Sequence, residues 1–212
     1  MTASPATQPP GTAAALPPRE RILAAARDLF YRHGIRAVGV DAIAEAAATN
    51  KMTLYRHFAS KDLLVAEYLS GLAAENDAVW DRMLHACCED PERQLSAWLD
   101  RLAEFAAQPS CRGCALANAA VELPDPDHPA RRVIEAQKCR SLRRLAELFR
   151  AAGLTAPDQL ADQVFLLIEG ARLNIQMVGA TGPGARLVGM VEALVAAHRV
   201  SEMPRPARNP HS

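Results

Sequence analysis

The sequence of 212 residues carries no overall charge, since 24 Lys and Arg balance 24 Asp and Glu. No global field draws it to a polyanion, so any such contact has to come from a local surface. Long apolar runs are missing too, and nothing approaches the roughly 18 residues of a membrane span. Residues 1–18, MTASPATQPPGTAAALPP, lack a basic start and an unbroken apolar stretch, so no signal peptide is expected there. Their composition reads as a disordered tail. Strand-like alternation is almost absent. With five cysteines and no secretory signal, free thiols in a reducing cytoplasm are expected.

What the sequence has is helical periodicity. Ile22, Leu23, Ala26, Leu29 and Phe30 form one apolar stripe, and Gly34 ends it where a left-handed residue is welcome. Val40, Ile43, Ala44 and Ala47 form a second stripe, and Leu54 and Phe58 a third. Ser60 suits the N-cap of a fourth helix carrying Leu64, Tyr68 and Leu72. Longer helices are expected at about 61–88, 91–107, 114–123, 129–152, 157–179 and 184–199, separated by breaks rich in Pro, Gly and Asp. The pattern predicts an all-α protein of about nine helices. Its domains would be a tail at 1–18, a DNA-binding unit at 19–64, an effector-binding and dimerisation body at 65–200, and a tail at 201–212.

The stretch AEAAATNKMTLYRHFASKDLL, from Ala44 to Leu64, sits in a segment with a modest local excess of positive charge: residues 19–63 hold eight Lys and Arg against five acids. Successive short helices joined by a tight turn suggest a helix-turn-helix, whose second helix enters the major groove. On a helix from about Lys51 to Phe58, Leu54 and Phe58 lie about 40° apart and face the core. Met52 and Arg56 then point outward, flanked by Thr53 and Tyr55. Arg56 suits a guanine, Met52 a thymine methyl, and Lys51 a base or phosphate. Thr53, Tyr55, His57 and Lys61 suit phosphate oxygens. Asn50 suits the N-cap, and a helix N-terminus favours a nearby phosphate. The plainer alternative is a solvated amphipathic helix.

The ordered pieces RILAAARDLFYRHGIRAVGVDAIAEAA and KMTLYRHFASKDLLVAEYL resemble the TetR family of bacterial transcriptional regulators, over roughly residues 19–68. The resemblance implies a helix-turn-helix at about Gly39–Phe58, with DNA contacts at Lys51, Met52, Thr53, Tyr55, Arg56, His57 and Lys61. Two departures stand out. Ala48-Thr49 replaces the family's usual glycine and valine at the turn, and a left-handed alanine costs on the order of 1 kcal/mol. The turn is nevertheless expected to be kept. Gly39 replaces a Ser or Thr, a passable cap without a hydroxyl for phosphate.

The resemblance further implies a homodimer on double-stranded DNA with a palindromic operator, and an unidentified small-molecule effector, but no cofactor, resident metal or enzyme activity. Its last two helices, with Leu160, Val164, Leu167, Ile168 and Ala171 on one and Leu187, Val191, Leu194 and Val195 on the other, would form the interface. Such stripes equally suit a core within one chain. Trp98, Leu102 and Phe105 are candidates for an effector pocket wall, with Asn118, Glu122, Gln137, Glu169 and Arg172 as polar options. Each also suits a surface position or a satisfied core pair. Cys111 and Cys114 form a C-x-x-C ahead of a helix, read as inert buried thiols, a sensor of oxidants or electrophiles, or a zinc site helped by Cys139 and His128. The rival functions are a thiol-redox protein using that pair and a helical protein-interaction module.

Overall fold

The computed structural model describes residues 16–107, 113–179 and 181–199. Among them run nine α-helices and no strand: α1 (Pro18–His33), α2 (Val40–Ala46), α3 (Lys51–His57), α4 (Lys61–Ala86), α5 (Pro91–Ala106), α6 (Ala115–Glu122), α7 (Pro129–Ala151), α8 (Pro157–Val178) and α9 (Leu187–Ala197). A 3-10 turn, Pro183–Arg186, leads into α9. The all-α expectation holds, with helix limits close to those read from periodicity. The expected tails lie outside the described residues except for 16–18.

Local chemistry explains several of these boundaries. Ser60 Oγ accepts the Leu63 N–H at 3.1 Å and so caps α4 as expected. Asp90 caps α5 by accepting from the N–H groups of Glu92 and Arg93. Gly34 closes α1 at φ +84, donating its N–H to the Phe30 carbonyl at 3.0 Å. A side chain at that φ is strained, which is why glycine stands there.

The chain packs as two compact units. The first holds the described residues up to 81 and those of 113–139, and the second those of 82–107 and 140–199, so α4 and α7 each contribute to both. Packing thus divides the chain at other places than the boundary expected at residue 64. Leu116 and Ala119 of α6 and Ala130 and Ile134 of α7 share one apolar core with Ile22, Phe30, Leu54 and Leu69. In the second unit Trp98 meets Phe149 edge-on with centroids 5.6 Å apart. Leu160, Val164, Leu187 and Val191 are fully buried within the chain itself. Most of the apolar stripe expected on α8 and α9 is therefore core, with a different face left outside.

Candidate nucleic-acid interface

Helices α2 and α3 are joined by residues 47–50. The Thr49 N–H reaches the Ala44 carbonyl and the Ala48 N–H reaches the Glu45 carbonyl, each at 2.9 Å. These paired bonds close α2 in the manner of a Schellman motif, with Ala48 at φ +48 in the left-handed region. The turn is kept despite the alanine, as expected. Arg21 of α1 supports it from behind, donating from Nε to the Ala47 carbonyl at 3.1 Å and from Nη2 to the Ala48 carbonyl at 3.3 Å. Sequence periodicity contained no signal for this brace, because it joins residues 26 and 27 positions apart.

Helix α3 shows the expected two-sidedness. Leu54 is 0% exposed and Phe58, its C-cap, 3%, whereas Met52 is 69% exposed. Asn50 Oδ1 accepts the Thr53 N–H at 2.8 Å, so its side-chain oxygen is engaged in the cap. Lys51 lies 3.2 Å from Asp41 on the surface. Tyr55, Arg56 and His57 are exposed, and Arg56 has no ion pair or hydrogen bond among the described residues. A free guanidinium beside an exposed thioether, on a rod anchored by two buried apolar residues, can meet base edges without losing an internal partner. Arg19 of α1 lies over the Phe58 ring at 5.1 Å and pairs with Glu67, fixing the far end of α3.

Lys61, expected to suit a phosphate oxygen, also has partners within the chain. Its ammonium turns inward and donates to the Ile35 carbonyl at 2.6 Å, 6.0 Å from the centre of the Phe30 ring. Burial pushes its pKa below the usual lysine range, opposed by the charges of Asp62 and Glu122. Gly39 caps α2 without a side chain, and the space beside its Cα is open.

The residues proposed for an effector pocket separate into two groups. Asn118, Glu122 and Gln137 belong to the first unit, and Trp98, Leu102, Phe105, Glu169 and Arg172 to the second. Glu122 accepts the Arg36 N–H at 3.0 Å, and buried Gln137 donates to Asp77 at 3.4 Å. Trp98 and Leu102 are buried core residues. The Arg172 guanidinium lies 4.8 Å from the centre of the Phe105 ring and bonds Glu169 at 3.0 Å. Among the described residues its buried Nε lacks a partner, as does buried Gln163 Oε1, a position without a periodicity signal.

Of the cysteine pair, Cys111 lies outside the described residues. Cys114 is the half-buried N-cap residue of α6, and Lys138 Nζ donates to its sulfur at 3.4 Å. His128, a possible zinc helper, instead faces Asp62 at 3.3 Å while its Nδ1 accepts the Ala130 N–H. No group of three His, Cys, Asp or Glu suited to a metal exists among the described residues.

Comparisons with known proteins bear on this geometry. Residues 22–68 match the family described as bacterial regulatory proteins, tetR family. The chain is 28% identical over 153 residues to the HTH-type transcriptional regulator YjdC of Escherichia coli K12, covering 72% of this chain and 80% of that one. It is 43% identical over 51 residues to the HTH-type regulator UidR of the same organism, covering 24% of this chain and 26% of the relative. Among solved structures it resembles a TetR-family regulator from Streptomyces coelicolor, with TM-score 0.78, 27% identity, and coverage of 85% of this chain and 95% of that one. A regulator from Streptomyces avermitilis gives TM-score 0.70, 29% identity and coverage of 86% and 98%.

Proposed function

We propose, from the match of residues 22–68 to the bacterial regulatory proteins of the tetR family, a dimeric repressor that holds a palindromic operator until an effector releases it. The observation that carries the reading is α3 itself: Leu54 and Phe58 anchor it inward while Arg56 is exposed and unpaired. Arg56 forks onto a guanine and Met52 touches a thymine methyl. Lys51 reaches a base or phosphate, and Thr53, Tyr55 and His57 hold phosphates. Asn50 contributes by capping α3. The relatives are regulators rather than enzymes, which argues against a thiol-redox catalyst.

A second copy is the proposed partner of the C-terminal helices. Leu166, Gly170, Leu173 and Met177 recur along the side of α8 opposite its buried residues, and all are exposed; Leu166 is 70% and Met177 65% exposed. Such an apolar stripe favours cover. A two-fold pair would let two copies of α3 meet groove segments about 34–36 Å apart. For the effector, the unpartnered Arg172 Nε and Gln163 Oε1 favour a polar ligand in the second unit. A thiol-reactive effector is the other branch, favoured by the cationic donor on the Cys114 sulfur. No helix among the described residues is long and apolar enough to cross a membrane, and a cytoplasmic regulator is proposed.

The test uses the duplex beside the protein's own gene in a mobility-shift titration at two salt concentrations. A sequence-dependent complex that weakens with salt is expected. Equal affinity for that duplex and a scrambled one at both concentrations would end the reading.

A further inference from the structure

The connection between α1 and α2 sets the direction in which the helix-turn-helix leaves α1, and one peptide group within it is held at both poles. The carbonyl of Ile35 accepts from Lys61 Nζ at 2.6 Å. The N–H on the other side of that same peptide bond, belonging to Arg36, donates to Glu122 Oε2 at 3.0 Å. An ammonium thus faces the negative end of the peptide dipole and a carboxylate its positive end. Gly34 makes the approach possible. A Cβ there would stand 2.9 Å from Glu122 Oε2 and 3.1 Å from Oε1, so the bare Cα lets the carboxylate lie against the turn. Lys61 begins α4 and Glu122 ends α6, so two helices distant in sequence converge on one peptide plane.

We propose that Lys61 and Glu122 are positioning residues, a charged clamp on the peptide joining Ile35 to Arg36 that fixes the angle at which α2 and α3 present Met52 and Arg56. The clamp assigns Lys61 a role besides phosphate contact, and Glu122 a role besides effector contact. The consequence for affinity rests on the DNA-reading role proposed above for α3, whereas the clamp itself does not.

The discriminating measurement is amide hydrogen exchange by NMR on the full chain, because Arg36 is exposed and its N–H is shielded by the Glu122 bond. Glu122→Ala is expected to speed exchange at Arg36 by about tenfold or more, leaving the deep α4 amide of Leu69 unchanged. Glu122→Gln keeps an oxygen acceptor and is expected to recover most of that protection. With the intergenic duplex, Glu122→Ala is expected to weaken binding about tenfold without altering the salt slope, and Lys61→Met to weaken it at least as much. Unchanged exchange at Arg36 in Glu122→Ala, a rise shared equally by Leu69, or a flattened salt slope in Glu122→Ala would overturn the proposal. If the unaltered protein binds no duplex, the DNA-reading role fails and exchange alone decides the clamp.

Discussion

Arg21 Nη2 lies 3.3 Å from the carbonyl oxygen of Ala48, so a side chain from α1 grips the turn ahead of α3. Ala48 holds φ +48, a conformation that costs an L-residue with a Cβ roughly 1–2 kcal/mol. Ala48→Gly is therefore expected to stabilise the protein by about 0.5–1 kcal/mol, the remainder going to the greater freedom of glycine when unfolded. Arg21→Ala is expected to destabilise it by about 1 kcal/mol through two lost hydrogen bonds. Thermal unfolding followed by circular dichroism reads both, with midpoints moving in opposite directions.

Gly39 stands at the N-cap of α2 at φ −84, and nothing lies within 4 Å of the position a Cβ would take. Gly39→Ser is accordingly expected to fold without strain and to gain a few tenths of a kcal/mol from the added cap. Its hydroxyl would also offer a neutral phosphate contact, so affinity for the duplex should rise a few-fold (roughly 1 kcal/mol) with no change in salt slope. A titration at several salt concentrations separates the two effects.

Tyr68 is buried beside Phe30, and burial pushes its phenol up to about 12, partly offset by Arg27. Its folded pKa exceeds its unfolded value near 10, so the folded state holds the proton longer and the associated stability is present below pH 10. That stability is lost as pH rises toward 12. Tyr68→Phe should delete the latest step of the tyrosinate absorbance titration and flatten the alkaline fall in stability over that window.

Leu173 is 55% exposed within the apolar stripe on α8. Leu173→Glu would set like charges across a two-fold contact and is expected to shift the protein from dimer to monomer in sedimentation, with thermal stability of the single chain little changed. Duplex affinity should fall by an order of magnitude or more, about 1.4 kcal/mol, because two half-sites are no longer held together. A monomeric parent protein would contradict the dimer outright.

The parts legible in the sequence were those governed by neighbours along the chain. Helix periodicity placed Leu54 and Phe58 inward, and local cap chemistry identified Asn50 and Ser60. The left-handed Ala48 followed from the family resemblance, in which a glycine usually holds that place. What escaped depended on partners distant in sequence. Periodicity states which face a residue occupies and says nothing of which peptide group lies within its reach, so the bonds of Lys61 to the Ile35 carbonyl and of Glu122 to the Arg36 N–H were not legible. Nor does it give the packing unit: Gln137 and Arg172, both candidates for an effector pocket, fall in different ones. On α8 the strongest apolar stripe turned out to be core, and the weaker one of Leu166, Gly170, Leu173 and Met177 went unnoticed because Gly170 interrupts its hydrophobicity.

The claim on which the account depends is that Arg56 reads a base. Affinities of the unaltered protein and of Arg56→Ala for the intergenic duplex and for a scrambled duplex of equal length measure it directly. The account predicts that the substitution removes about 1–3 kcal/mol of the preference between the two duplexes while both proteins remain folded. An undiminished preference in Arg56→Ala would contradict it.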